Sequence, residues 1–394
     1  MVMTGEFISR RTALKTMASS AAILGAGIGT IGTLRAAETI KIGFLSGMTG
    51  LETILGETQL NCFKLAVEEI NAAGAAGGRH IDFIVEDDQT TTRGAIDKAR
   101  KLISQDKVDV IIGLIASLTH VAARSVTNPA HELLIYTTYY EGEVCDKYFF
   151  STGQVPNQQI YPSVEWLTKN VGKSIYIVGS DYIWPKRSAE SVKAACEKFG
   201  GKLLAAEFFP FGTQDFGPVL NRIQEAKPDI VWIMVAGSDE ISIMKQYRSF
   251  GIKAQPFSNG FDDVFSASHA DLLEGALANQ AYFMTLDNPK NKAFVAAYRA
   301  KFGADKPINA IGEAAYDAAW LYALAVAKAG STDVEKVIPA LKTVEFDAPQ
   351  GKVNFAANNV MRSNSLLARG QANGQWEIVK NFGQIDPLVP NCSL

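Results

Sequence analysis

The sequence predicts an α/β fold of two doubly wound parallel-sheet lobes. Three observations carry that prediction. The chain has 394 residues, more than a single core usually organises. Short apolar strands alternate with amphipathic helices, the pattern of βα units whose sheet is covered on both faces. The alternation begins at residue 38 and restarts after residue 155.

The elements follow in order. Residues 39–45 place Ile40, Ile42 and Phe44 at period two, a strand. Residues 57–73 put Leu60, Phe63, Val67 and Ile70 on one helical face, with Gly74 as the stop. A strand over 81–86 and a helix over 93–105 come next, then strands over 108–112 and 133–136. The second run has a strand at 174–178 and a helix at 185–199 with Pro185 in its first turn. It continues with a strand at 203–209, a helix at 215–226, a strand at 229–235 and a helix at 240–250 closed by Gly251. A short segment over 255–258 follows. The tail predicts helices over 292–302 and 313–329 and short strands near 353–355, 366–369 and 376–379.

Composition excludes several classes. The chain is 47% hydrophobic and 20% charged, the balance of a globular protein. Its formal charge is −3. Residues 1–37 carry Arg10, Arg11, Lys15 and Arg35 against Glu6, so the remainder stands at −6. A mildly acidic body gives no reason to expect a nucleic-acid partner. Residues 1–37 read as a targeting segment: Ser9-Arg10-Arg11-Thr12-Ala13-Leu14-Lys15 resembles the twin-arginine export signal. A weakly apolar stretch over 16–34 follows, with cleavage expected near Ala36 or Ala37. Gly27-Ile28-Gly29-Thr30-Ile31-Gly32 fits GxGxxG but lies inside this segment, away from any strand–helix junction, and is not read as a nucleotide site. The cysteines are Cys62, Cys145, Cys196 and Cys392, without a CxxC pair; a disulfide between Cys62 and Cys145 is the pairing expected. The four histidines lack metal-ligand spacing, and no metal or cofactor is expected.

In open parallel sheets ligands bind beyond the carboxyl ends of the strands. That rule selects Ser117 and Thr119 after the third strand, where helix-start N–H groups and hydroxyls suit a carboxylate or carbonyl oxygen. It selects the run Thr137, Thr138, Tyr139 and Tyr140 after the fourth strand, Tyr182 and Trp184 after the strand at 174–178, Ala236 after 229–235, and Asp262 after 255–258. Hydroxyls and aromatics in this set suit a small polar solute. HExxH, Walker and GxSxG motifs are missing, and the acidic pairs Asp87-Asp88 and Asp262-Asp263 read as solvated or capping residues, so no enzyme is expected.

Several stretches carry a resemblance. Gly50-Leu51-Glu52-Thr53-Ile54-Leu55-Gly56, the run over 65–74, Tyr140-Glu141-Gly142, Val155-Pro156-Asn157-Gln158-Gln159, Gly179-Ser180-Asp181-Tyr182 and the run over 345–351 resemble periplasmic binding proteins of the leucine/isoleucine/valine type. Within that type they are most similar to the branch that binds urea and short-chain amides. The resemblance covers residues 39–380. It implies a type I periplasmic binding fold with a three-crossing hinge between lobe 1 (38–154 plus 284–362) and lobe 2 (155–283 plus 363–394). It implies ligand contacts at Ser117, Tyr136, Thr138 and Tyr182, with Trp184 where an aromatic is common. The chain departs from the branch at Ile115 and Leu118.

The function expected is therefore the periplasmic, substrate-binding component of an ABC importer, with permease and ATPase subunits as partners and a small solute as ligand. Urea, a short-chain amide or a small carboxylate is the ligand class expected. Amino-acid relatives hold the ammonium group with two acids, and Pro156 or Asn157 stands where the first is found, leaving Asp262. The alternatives are a branched-chain amino-acid or aromatic-acid binding protein of the same fold, or an amide sensor, which would need no export signal.

Overall fold

The computed structural model describes residues 39–394; the export-signal reading of residues 1–37 and the glycine motif at 27–32 lie outside them. Two runs of βα units follow one another. The first comprises β1 (Ile40–Ser46), α1 (Thr53–Ala73), β2 (Ile81–Asp87), α2 (Thr92–Lys101), β3 (Val110–Gly113), α3 (Ser117–Ala130), β4 (Leu134–Tyr136) and β5 (Phe149–Ser151). α2 runs on as a π-turn over Leu102–Asp106. α1 stops where the alternation of apolar residues stops: Gly74 turns left-handed (φ 60°), and its N–H caps the carbonyls of Ile70 and Asn71. The strands form a parallel sheet in the order β2-β1-β3-β4-β5.

The second run comprises α4 (Pro156–Asn170), β6 (Ser174–Ser180), α5 (Ile183–Phe199), β7 (Lys202–Phe209), α6 (Gly217–Ala226), β8 (Ile230–Met234), α7 (Asp239–Ser249), β9 (Gln255–Ser258), α8 (Asp263–Ser268), α9 (Ala270–Leu273) and β10 (Leu277–Gln280). Its parallel order, β7-β6-β8-β9-β10, repeats that of the first sheet. β3 and β8 are buried along their whole length, as strands covered on both faces must be.

The rest of the chain returns to both sheets. α10 (Pro289–Phe302), α11 (Ala310–Ala329) and α12 (Val334–Leu341) pack on the first, where Phe44, Phe63 and Ile112 share a core with Tyr298, Ala319 and Tyr322. Alanines along α11 keep its buried face flat, so α1 lies closely against it. β11 (Phe346–Ala348), β12 (Gly351–Phe355), β13 (Met361–Gly370) and β14 (Trp376–Ile385) are antiparallel, and β13 joins the second sheet beside β10. That sheet is thus mixed, not wholly parallel. The reason lies in the connections: β11 to β14 are joined by short turns, which permit only antiparallel neighbours.

The disulfide expectation needs correction. Cys145 bonds Cys392, with Cα atoms 5.2 Å apart, while Cys62 and Cys196 are free and buried. Cys62 lies on the inner face of α1 in the core beneath α11. Cys145 lies in the β4–β5 connection, where the segment after β14 arrives. Among the described residues no helix is long and apolar enough to cross a membrane.

Candidate ligand cleft between the two sheets

The strand order reverses between β1 and β3 in one sheet and between β6 and β8 in the other. Loops leaving neighbouring strand ends in opposite directions there open a crevice. The two crevices meet in one cleft. One wall is Glu52 and Leu55 after β1, Ile115 and Ser117 after β3, and Thr138 and Tyr139 after β4. The other is Tyr182 and Trp184 after β6, Val235, Ala236, Gly237 and Glu240 after β8, and Gly260 and Phe265 after β9. The walls touch: the Ser238 N–H donates to the Leu51 carbonyl at 3.2 Å.

Of the residues selected from sequence, Ser117, Thr138, Tyr182, Trp184 and Ala236 line this cleft. Thr119, Tyr136 and Asp262 do not. The Thr119 hydroxyl donates to the Ala116 carbonyl at 2.8 Å. Tyr136 is wholly buried and its hydroxyl donates to the Ile115 carbonyl, which holds the strand-end loop in place. Asp262 caps α8, accepting from the N–H groups of Val264 at 2.8 Å and Phe265 at 3.1 Å. Its other oxygen accepts from Asn309 Nδ2 at 2.8 Å, so the carboxylate has a structural task.

Nine further lining residues were not among those singled out from sequence. Tyr139 stacks obliquely on Trp184 with ring centroids 5.2 Å apart, and Leu55 and Phe265 add apolar wall. Tyr139 follows Thr138 directly in the run after the fourth strand. Glu52 and Glu240 are the more consequential omissions, because each is 3% exposed. Glu52 lies in the loop that leaves the carboxyl end of β1, a position of the kind where ligands bind in such sheets. Glu240 looks like any acid in the first turn of a helix. Only the tertiary fold turns it inward, beside Gly260, where a side chain would meet its carboxylate.

The electrostatics follow from burial. Glu52 is pushed up to about 8, first by desolvation and then by Asp88. Glu240 is raised for the same primary reason, with Asp262 adding to it. No lining residue is basic. The Ser117 hydroxyl and one Glu240 oxygen are buried with no hydrogen-bond partner among the described residues, although buried polar groups are nearly always paired. Behind Ser117, His120 and Glu141 form a buried pair at 3.5 Å. Burial alone would raise Glu141, but the contact with His120 outweighs it and holds the carboxyl below its usual range.

Two sheets of like topology facing each other across a cleft lined by polar and aromatic side chains from both define the architecture of a binding protein. Comparison with known proteins agrees. The periplasmic binding protein family matches residues 39–375, and the chain belongs to that family. It is 27% identical over 327 residues to the leucine-, isoleucine-, valine-, threonine- and alanine-binding protein of Pseudomonas aeruginosa, covering 81% of this chain and 86% of that one. Among solved structures it is similar to an ABC transporter substrate-binding protein from Sphaerobacter thermophilus, at 26% identity and a TM-score of 0.79, covering 89% of this chain and all of that one. A solute-binding protein from R. palustris in complex with benzoate superposes with a TM-score of 0.83 at 22% identity, over 90% of this chain and all of that one. The relatives are solute-binding proteins, and this chain is one rather than an enzyme.

Proposed function

We propose that this protein is the extracytoplasmic substrate-binding component of an ABC importer and delivers a small nitrogen-bearing solute to permease and ATPase subunits. Family membership and the relatives named above support the receptor role. Lobe 1 (38–154 plus 284–362) and lobe 2 (155–283 plus 363–394) close on the solute about a hinge of three chain crossings.

One observation carries the ligand class: the cleft holds an unpaired Ser117 hydroxyl and an unpaired Glu240 oxygen, both buried, and no basic side chain. A ligand that satisfies both brings an oxygen to Ser117 and an N–H donor to Glu240. A zwitterionic amino acid does so, with its carboxylate at the N-terminus of α3 and its ammonium against Glu240, and the charge it brings repays the cost of ionising that buried acid. Leu55, Ile115 and Val235 beside the aromatic wall suit an apolar side chain. The acid expected at Pro156 or Asn157 is thus replaced in role by Glu240. A urea or short-chain amide is the second reading, favoured by the raised carboxyl of Glu240: protonated, it offers one donor and one acceptor, which match an amide edge. An aromatic acid would set its carboxylate at the same helix start but bring no N–H donor to the Glu240 oxygen.

Titration calorimetry in buffers of differing ionisation enthalpy separates the readings. Leucine or phenylalanine should release about one proton at pH 6–7 as Glu240 ionises, and Glu240→Gln should abolish both release and binding. Urea or acetamide binding without proton release would favour the amide reading; binding of neither class would refute both. Export through the Arg10-Arg11 pair belongs to the same proposal. Replacing both by Lys should stop export, whereas normal recovery outside the cytoplasm would assign the general secretory route.

A further inference from the structure

The last residues of the chain return from the second sheet to the first. β14 ends at Ile385, paired with Ser363 of β13 in the second sheet. Asn157, in the first turn of α4, holds the next residues with both ends of its amide. Its Nδ2 donates to the Asp386 carbonyl at 2.8 Å, and its Oδ1 accepts from the Leu388 N–H at 2.8 Å. α4 packs on the second sheet, where its Ile160, Val164 and Leu167 share a core with Ile175 and Trp232. One residue further on, Val389 is 4% exposed and shares a core of the first sheet with Leu134, Val144 and Phe149. Cys392 packs on that same core and is bonded to Cys145. Between the two anchorages, the Pro387 carbonyl accepts from Asn358 Nδ2 at 2.9 Å.

This transit has no slack. Leu388 and Val389 are neighbours, about 3.8 Å apart at Cα, yet the first is held by α4 and the second by the core of the first sheet. A rotation that carries Asn157 away from the first sheet must break its two bonds or draw Val389 out of that core. The first unpairs polar groups and the second exposes apolar surface. The bond from Cys392 to Cys145 prevents the chain end from slipping to relieve the pull. The segment is engaged while the cleft walls touch between Ser238 and Leu51, so opening is the movement it resists. We propose that residues 386–392 form a strap that limits how far the lobes open and keeps the solute-free protein near the closed arrangement. The strap acts on the hinge closure put forward above, and rests on that reading. It adds a fourth connection to the three chain crossings, one closed by a covalent bond. Held near closure, more of the population is competent to grip a solute, and apparent affinity rises with that fraction.

The test compares the exported wild-type chain with two variants: Cys145→Ser with Cys392→Ser, and the same pair with Val389→Ser. Circular dichroism checks the fold of each. The melting temperature falls on loss of a disulfide whatever the strap does, so it does not decide the matter. Small-angle scattering without solute does. The radius of gyration should be larger in both variants than in wild type, and amide exchange should quicken at residues 152–157 and 358–363. Wild type reduced with dithiothreitol should match the first variant, and these two carry the comparison if the second variant does not fold. Leucine should bind the second variant about 3–10-fold more weakly by calorimetry, because fewer molecules are poised to close. Folded variants with the solute-free radius and exchange of wild type would overturn the strap. Wild-type scattering that saturating leucine leaves unchanged would count against the hinge reading instead, and the solute-free comparison would still decide the strap.

Discussion

A buried hydroxyl with no partner marks a place where something else supplies the hydrogen bond. Ser117 is such a residue, 2% exposed at the start of α3. Removing the hydroxyl should weaken solute binding by about 1–2 kcal/mol, roughly 5–30-fold in Kd; calorimetry on Ser117→Ala checks this, and unchanged affinity in a folded variant would limit Ser117 to helix initiation. The buried acids predict a pH dependence. Glu52 is raised to about 8, Glu313 to about 7, and Asp88 and Asp262 to about 6, each chiefly by desolvation. A carboxyl with a raised pKa in the fold holds its proton after the unfolded chain has lost it. Its stabilising contribution is fully present below the ordinary carboxylate range and is lost as pH climbs through the folded value. The solute-free protein should therefore lose on the order of a few kcal/mol between pH 5.5 and pH 9, and Glu52→Gln should flatten the upper part of that fall. Urea unfolding across this range measures it, and a stability that rises with pH would contradict the assignment. Ser117 was legible because it follows an apolar strand. Glu240 was not, since an acid in a first helical turn is ordinarily solvated and favoured there by the helix dipole.

At the scale of elements, the loop after β8 decides whether the walls can meet. Gly237 has φ 56°, and a Cβ there would lie 2.3 Å from the Leu51 carbonyl oxygen. Gly237→Ala should hold the walls apart and reduce solute affinity by about tenfold or more, equivalent to at least about 1.4 kcal/mol. The ligand-free melting temperature should fall only by the modest cost of a left-handed alanine. Wild-type affinity in this variant would show that the Leu51–Ser238 contact is not needed for capture. Strands and helices with clear periodicity were legible to within a few residues: β9 spans 255–258 as expected, and α1 ends at Ala73. The missed elements have physical causes. α4 carries Pro156 and Pro162, which read as breakers although the first sits at a tolerated N-terminal position. β10 ends in Asn279 and Gln280, polar residues whose burial depends on partners such as Ser365 and the Asn259 carbonyl. β5 has three residues, too few to show a period.

The whole molecule combines two sheets of one strand order with a cleft supplied by both. The proposed hinge closure would shorten the particle, so small-angle scattering should give a smaller radius of gyration at saturating ligand than without it. An unchanged profile would exclude hinge closure. The Cys145–Cys392 bond adds a covalent link between the β4–β5 connection of the first sheet and the tail that follows β14 of the second.

The sequence by itself determined the βα alternation, its restart after residue 155, and the strand ends where a ligand could bind. Those properties are local: periodic burial and turn chemistry are written in neighbouring residues. The tertiary structure decided which strand ends face each other, that Cys392 and not Cys62 reaches Cys145, and that Asp262 is spent on a helix cap and Asn309. It also decided that Glu52 and Glu240 turn inward to a cleft without a basic residue. Those are properties of distance between segments far apart in the chain, and the free energy of a buried acid depends on what surrounds it, which no local pattern records.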